Sequence, residues 1–363
     1  MKILHVIARM NVGGTATYLG NLINGLEEAN VDTLLAVGWV PSNEIEDSKV
    51  ENINNVRINH LYREINVYHD FLARREIKRV IEKFQPDIIH THTFKAGLLI
   101  RSLKTRIPLV HTFHGHHLYD PDYGKFKKII LNAIERSLAR KNAQIVTIGK
   151  RVGRELLEQG IGNVNQSVSI PPGISRPIHR SRSTILKALD LDNGQLNVLW
   201  MGRLTKVKRP ERVVEVARAF PNVNFIVAGN GELMAEMKTQ APVNLHLVGV
   251  RNASEMWSIA DISLLTSDSE GMPLTLIEAQ MVGVPGVATE VGSVSEIIID
   301  GETGLLASAN IADLKSKLGI LIQDSMLRHT MSEKARVRAV KLFSIENMVD
   351  SHLRVYKSIL GIK

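Results

Sequence analysis

The chain has 363 residues, 44% hydrophobic and 23% charged, which is material for two ordinary globular cores. It contains no cysteine, so disulfides, thiolate nucleophiles and thiolate metal sites are excluded. A formal net charge of +8 points to an anionic partner such as a nucleotide diphosphate, lipid headgroups or nucleic acid, but with only 5% aromatic residues the stacking platforms for single strands are poorly supplied.

The opening MKILHVIA is an apolar run broken by His5 and too short for a signal peptide. No run of about 18 apolar residues occurs, so a soluble chain is expected. Lys2 to Ala8 reads as a buried strand, followed by the glycine loop Asn11-Val12-Gly13-Gly14 and a helix from Thr15 to Leu26 with Leu19, Leu22, Ile23 and Leu26 inward. Strand, Gly-Gly turn and helix together make a helix N-terminus that a ligand can approach closely. Further strands are predicted at Thr33–Val37, Asp87–His90, Pro108–Thr112 and Gln144–Ile148, with helices at Asp70–Phe84 and Lys125–Arg140. This alternation argues for a parallel, doubly wound sheet. Pro171-Pro172-Gly173 and the basic segment to Ser183 read as a hinge. The pattern then restarts, with strands at Asn197–Met201, Asn224–Ala228, Leu245–Leu247, Asp261–Leu265 and Pro285–Ala288. A last helix, Ile345–Leu360, is expected to pack back on the first domain. The predicted division is therefore 1–173, 174–344 and a returning helix in 345–363.

The stretch DSEGMPLTLIEAQM, Asp268 to Met281, sets Glu270 before a helix start and Glu278 after it. Pro273 suits the first helical position, and Gly283 with Pro285 stops the helix. The N–H groups of Gly271, Met272 and Leu274 would then leave the helix mouth open to an anion. A phosphate with a sugar on one side and a ribose on the other fits that layout. An ordinary capped helix with two surface glutamates is the alternative.

Five motifs stand in order along nearly the whole chain: the turn at Gly13-Gly14, HTFHGHH at His111–His117, GRLTKVK at Gly202–Lys208, AGNG at Ala228–Gly231, and the E-x7-E element of Glu270 and Glu278. In these the chain resembles the retaining, nucleotide-sugar-dependent glycosyltransferases of family 4. The resemblance implies the GT-B form of α/β architecture, two Rossmann-like doubly wound domains facing each other across a cleft. It implies transfer of a sugar from a nucleotide-sugar donor, a UDP-sugar favoured, to an acceptor hydroxyl of a lipid-linked or cell-envelope glycan precursor. By the same resemblance Glu270 would bind donor sugar hydroxyls and Glu278 the ribose, while Arg203 and Lys208 clamp the diphosphate and His114 contacts the transferred sugar. The catalytic set so implied is His114, Arg203, Lys208 and Glu270. The donor-binding set is Gly13, Gly14, Gly202, Gly229, Asn230, Val250, Gly271, Met272, Leu274 and Glu278. Two departures from the family pattern are Arg209, where a glycine is common, and Gly286, where a second valine is usual.

Rival assignments are open to the same residues. His111, His116 and His117 with Asp120 and Asp122 suggest a metal cluster, and Asp120-Pro121-Asp122 mimics the Asp-x-Asp signature of the other glycosyltransferase fold. Its place in a basic loop after a first-domain strand argues against that, and neither metal nor cofactor is expected. Gly229-Asn230-Gly231 invites a dinucleotide site, but Met234 stands where the third glycine belongs, so hydride transfer is not expected. Two rival functions are a same-fold sugar-nucleotide epimerase, which would need further acid and base carboxylates, and a noncatalytic nucleotide-sugar or nucleic-acid binder. Nucleic acid is not the expected partner. Two basic helices suggest an anionic membrane surface and a cytoplasmic chain peripheral to the membrane. Phe71 to Phe84 carries Arg74, Arg75, Lys78, Arg79 and Lys83, and Lys125 to Lys141 sets six basic residues beside Phe126, Ile129, Ile130 and Leu131. The alternative is that this apolar face simply covers the sheet.

Overall fold

Aliphatic runs of four to six residues, closed by glycine or polar turns, make strands that a parallel sheet buries on both faces, and the longer amphipathic segments between them make the covering helices. The computed structural model describes residues 1–42, 44–115 and 124–362, with Lys125 described by its backbone alone. Contacts divide the chain into two compact units, Met1–Ile174 with Phe343–Lys363, and Ser175–Leu342.

In the first unit, β1 (Lys2–Ile7), β2 (Asp32–Val37), β3 (Asn55–Arg57), β4 (Ile88–His92), β5 (Leu109–Phe113), β6 (Gln144–Thr147) and β7 (Ser167–Ser169) form one sheet in the order β3-β2-β1-β4-β5-β6-β7. Every pairing in it is parallel. The helices between are α1 (Gly14–Glu28), α2 (Val67–Phe84), α3 (Thr93–Arg101), α4 (Lys125–Ala139) and α5 (Lys150–Glu158). Strand order reverses between β1 and β4, and it is outside the carboxyl ends of strands at such a switch point that doubly wound sheets take their ligands.

The second unit repeats the plan. It holds α6 (Arg182–Ala188), β8 (Asn197–Met201), α7 (Glu211–Ala217), β9 (Asn224–Ala228), α8 (Met234–Gln240), β10 (Leu245–Gly249) and α9 (Ala253–Ile259). Then follow β11 (Ile262–Leu265), α10 (Leu274–Met281), β12 (Gly286–Thr289), α11 (Val294–Ile297), β13 (Gly304–Ala307), α12 (Ile311–Gln323) and α13 (Ser325–Leu342). The sheet order is β10-β9-β8-β11-β12-β13, with the reversal between β8 and β11. After α13 the chain returns to the first unit, where Ile174 N–H donates to the Phe343 carbonyl at 2.9 Å. There α14 (Ile345–Leu360) lies against α1 so closely that a Cβ on Gly25 would stand 2.5 Å from Val349 Cγ2.

The predicted strands and helices are present with ends shifted by a few residues. The edge strands β3 and β7 were not predicted, because each is three half-buried residues and neither carries an apolar run. The helices α3, α5, α6, α11, α12 and α13 and the short strand β13 were also missed. Pro273 is extended, with φ −70° and ψ 115°, and caps α10 in place of starting it. The glycines at 229 and 231 do not open a helix either. Gly231 N–H donates to Asn230 Oδ1 at 2.8 Å, a turn follows, and α8 begins only at Met234.

Candidate functional site

Apart from Glu278, within α10, the residues singled out in the second unit fall in loops at the carboxyl ends of β8 to β11 or at the start of α10. Gly202, Arg203 and Lys208 follow β8, Gly229 and Asn230 follow β9, Val250 follows β10, and Glu270 to Leu274 follow β11. Backbone hydrogen bonds stitch these loops together. Leu204 N–H donates to the Asn230 carbonyl at 2.9 Å, and Asp268 N–H donates to the Val207 carbonyl at 2.9 Å. Trp200 Nε1–H donates to Thr266 Oγ1 at 3.0 Å, and that hydroxyl is shared between the carbonyls of Lys208 and Arg209 at 2.9 and 3.0 Å. Gly229 is required here, since its φ is +152° and a Cβ would lie 1.8 Å from the Gly202 carbonyl oxygen.

Within this frame the two carboxylates are held differently. Lys208 Nζ lies 2.6 Å from Glu270 Oε1, and the same oxygen accepts from Ser267 Oγ at 2.5 Å. Oε2 of Glu270 takes no hydrogen bond among the described residues, so a second acceptor remains for a ligand. The Glu270 side chain is 8% exposed and that of Lys208 24%. The cation expected on the diphosphate therefore rests on the carboxylate expected on the sugar. Arg203 stays exposed, with no ion pair among the described residues. Glu278, on α10, accepts from Trp257 Nε1–H at 2.9 Å; burial pushes its carboxyl pKa up and this hydrogen bond opposes the rise. Gly292, at φ +52°, lets the loop after β12 close on Glu270, whose carbonyl oxygen would be 1.7 Å from a Cβ there. Ser293 N–H donates to the Gly271 carbonyl at 2.9 Å. The N–H groups of Gly271, Met272 and Leu274 donate to no partner among the described residues.

Both departures from the family pattern have local explanations. Arg209 occupies the left-handed region at φ 51° and ψ 50°, where glycine would be free of strain, and its guanidinium Nε lies 3.0 Å from Glu211 and 3.2 Å from Asp268. Gly286 pairs with Ser263, and a Cβ on it would meet Ser263 Oγ at 2.8 Å and Ile298 Cδ1 at 2.9 Å, so valine does not fit.

In the first unit the switch point is lined with imidazoles. Strand alternation and the register His5↔His90 and His92↔Thr112 put His5, His90, His92, Thr112 and His114 on one face of the sheet. His90 Nδ1 is 2.6 Å from Tyr356 Oη and its Nε2 is 2.7 Å from Thr112 Oγ1. His92 Nε2 is 3.1 Å from His5 Nδ1, and His92 Nδ1 is 3.2 Å from His114 Nε2. Ligand atoms of His5, His90 and His92 lie within 4.8 Å of one another, close enough to suggest a metal site. The rings of His90 and His92 are tilted against each other, with centroids 4.3 Å apart and planes 34° apart. His90 and His92 have both ring nitrogens in hydrogen bonds, so a hydrogen-bonded network accounts for these two rings, while His5 Nε2 has no partner among the described residues. His114, half-buried after β5, has the Tyr18 ring edge-on at 4.8 Å, and burial lowers its pKa. His111 lies on the opposite face with Thr91 Oγ1 2.8 Å from its Nδ1. Gly13, at φ +153° with open space about it, caps α1, which Gly14 begins. His116, His117, Asp120 and Asp122, the remaining members of the suggested metal cluster, lie outside the described residues.

Phe126, Ile129 and Ile130 of α4 are 76%, 67% and 44% exposed. The face that covers the sheet is instead Leu131, Leu138 and Ala139, with the buried pair of Arg101 and Glu135 at 2.8 Å beside it. The supporting residues Ser267, Trp257, Thr266 and Gly292 had been missed, as had His90, His92 and His352. Only His90 and His92 carried a signal, an alternation of period two inside the wholly buried strand IIHTH.

Residues 12–176 match a sequence model described as Glycosyltransferase Family 4, and residues 181–338 match one described as Glycosyl transferases group 1. The chain is 25% identical over 316 residues to a UDP-Gal:alpha-D-GlcNAc-diphosphoundecaprenol alpha-1,3-galactosyltransferase of Escherichia coli, covering 82% of this chain and 81% of that one. Among solved structures, sucrose-phosphate synthase of Thermosynechococcus elongatus superposes with a TM-score of 0.86 at 18% identity, over 99% of both chains. Anabaena HepE, in complex with UDP and glucose, superposes with a TM-score of 0.84 at 18% identity, over 99% of this chain and 100% of that one. At such identities the two structures establish the fold: two Rossmann-like domains of GT-B type.

Proposed function

The chain belongs to glycosyltransferase family 4, and from that premise we propose that it moves a sugar, with retention at the anomeric carbon, from a nucleotide-sugar donor to a hydroxyl of a lipid-linked or cell-envelope glycan precursor. The observation that carries this is the loop after β11. It sets Glu270, with one oxygen fixed by Lys208 and Ser267 and the other without a hydrogen bond among the described residues, beside N–H groups at the start of α10 that likewise have no partner among those residues. A polyol acceptor next to an anion site suits a sugar joined to a phosphate.

In this chemistry the bond from the anomeric carbon to the donor phosphate oxygen breaks, and a bond to the acceptor oxygen forms on the same face. The acceptor proton passes to the departing phosphate oxygen. Negative charge grows on that phosphate, and Arg203, Lys208 and the N–H groups of Gly271, Met272 and Leu274 oppose it. Glu270 binds hydroxyls of the transferred sugar, His114 contacts the same sugar, and Glu278 binds the ribose. Gly13, Gly14, Gly202, Gly229, Asn230 and Val250 supply close-approach backbone for the donor. The step as drawn uses no metal ion. UDP as the nucleotide is supported by the galactosyltransferase named for UDP-Gal and by the UDP complex of HepE. A lipid-linked acceptor is supported by the diphosphoundecaprenol in the first of those names and by the outward Phe126, Ile129 and Ile130 of α4, flanked by Lys127 and Lys128. Among the described residues no helix is long and apolar enough to cross a membrane.

The test is to incubate the purified chain with UDP-, GDP- and ADP-sugars and lipid-linked acceptors, with and without a chelator. Product carrying the α or β configuration of the donor, formed equally with chelator present, is expected. Release of free sugar alone, epimerised donor, or activity abolished by chelator and restored by manganese would each overturn part of the proposal.

A further inference from the structure

The first unit buries two imidazoles, His5 and His92, that the transfer chemistry above does not use but that lead to His114, which it does. His5 of β1 and His92 of β4 are wholly buried, and the line ends at His114 through contacts of 3.1 and 3.2 Å between ring nitrogens. Desolvation lowers the pKa of all three rings, so near neutral pH each is uncharged and carries a single N–H. A chain of neutral imidazoles has two polarities. In the inward one, His114 Nε2–H donates to His92 and His92 Nε2–H donates to His5, which leaves an N–H on His5 Nε2. In the outward one, His5 Nδ1–H donates to His92 and His92 Nδ1–H donates to His114, which leaves a bare lone pair on His5 Nε2 and an N–H on His114 Nδ1.

His5 Nε2 decides between them, because it is buried without any hydrogen-bond partner among the described residues. An N–H stranded in the core is the costlier orphan, since unpaired donors are rarer in folded proteins than underused acceptors. The neighbouring network cannot relieve it. His352 Nδ1 faces the Met348 carbonyl at 2.9 Å and must donate, so the Tyr18 hydroxyl donates to His352 Nε2 at 3.0 Å. His90 is held separately, with its Nε2 2.7 Å from Thr112 Oγ1 and its Nδ1 2.6 Å from Tyr356 Oη. None of these groups lies within hydrogen-bond distance of His5 Nε2.

We propose that His5 and His92 are positioning residues that lock His114 in its Nδ1–H tautomer, so that His114 meets its ligand as a hydrogen-bond donor to a sugar oxygen and not as a base. The role at the sugar rests on the placement of His114 proposed above, whereas the lock is a property of the free protein. Nitrogen-15 spectra of histidine-labelled protein without substrate read the lock directly, with the His114 signals identified by their loss in His114→Gln. A protonated Nδ1 and a bare Nε2 are expected; the reverse pattern, or an even mixture, overturns the lock. His5→Asn keeps a donor near the Nδ1 position and should preserve the tautomer. His5→Leu removes it and should spread His114 over both tautomers, lowering kcat on the order of tenfold, the worth of one hydrogen bond, while KM for the donor holds. An unchanged tautomer ratio in His5→Leu overturns the positioning role. Should His5→Leu fail to fold, the wild-type and His5→Asn spectra still decide. A locked His114 together with full-rate transfer by His114→Gln would uphold the lock and overturn the role at the sugar.

Discussion

Lys208 and Glu270 meet at 2.6 Å with little water around the carboxylate, so either partner removed leaves the other charge poorly solvated. Lys208→Ala should therefore lose both stability and rate: about 1–3 kcal/mol from the unpaired buried group, and a factor of ~10² to 10³ in turnover if it opposes charge on the leaving phosphate. Arg203 is exposed and unpaired among the described residues, so Arg203→Ala should lower turnover with the unfolding midpoint unmoved. Denaturant melts beside rate measurements separate the two, and a full rate in Arg203→Ala would remove it from the clamp. At Arg209 the opposing effects nearly cancel. Relief of a left-handed conformation is worth ~1–2 kcal/mol, against ~0.5–1 kcal/mol for the added freedom of glycine in the unfolded chain and ~0–1 kcal/mol for exposed ion pairs. Arg209→Gly should be close to neutral in a urea melt, and Arg209→Ala, which keeps the strain and loses the pairs, less stable than Arg209→Gly.

A helix that only covers a sheet turns its apolar residues inward. In α4 that inward stripe is Leu131, Leu138 and Ala139, and the outward Phe126, Ile129 and Ile130 have no counterpart in it. Burying such side chains stabilises by about 1.5–3 kcal/mol each, and clustered lysines near an anionic surface add ~1 kcal/mol each. The unit should therefore sediment with anionic liposomes and not with neutral ones, and release as salt shortens the Debye length. Phe126→Ser with Ile129→Ser should abolish sedimentation while transfer to a water-soluble acceptor analogue continues. Failure to bind anionic liposomes at low salt would favour a soluble acceptor.

The whole first unit carries a pH liability. Burial lowers His5 and His114 to about 3 and His352 to about 4, and lowers His90 and His92 well below the ordinary value. In the unfolded chain each takes a proton near pH 6.5, so below that pH the unfolded state binds protons the folded state refuses. The stabilisation is complete above pH 6.5 and is lost as pH falls towards the folded values, at ~1.4 kcal/mol per pH unit for each such histidine. The buried histidines all act in the same direction, so stability falls with pH more steeply than one histidine alone would make it. Hydrogen exchange in β1, β4 and β5, corrected for intrinsic rate, should report opening of this unit between pH 6 and pH 4.5, and His352→Gln should flatten the slope. Protection unchanged down to pH 4.5 would mean that the histidines are solvated and not buried neutral.

Local patterns were legible in the sequence. Short apolar runs alternating with amphipathic segments specified two doubly wound domains, and β8, β9 and α14 fall where their periodicity put them, because burial on a strand or helix face is written in neighbouring residues. The loops of the candidate site were legible for the same reason, since glycines and charges close to strand ends are local features. Tertiary structure alone decided which of these groups touch. Lys208 and Glu270 are separated by 62 positions in the chain, His5 and His92 by 87, and His90 and Tyr356 by 266. Such pairs depend on the register between strands and on where α14 returns. Both are set by the packing of whole elements, a property that no short window of sequence carries.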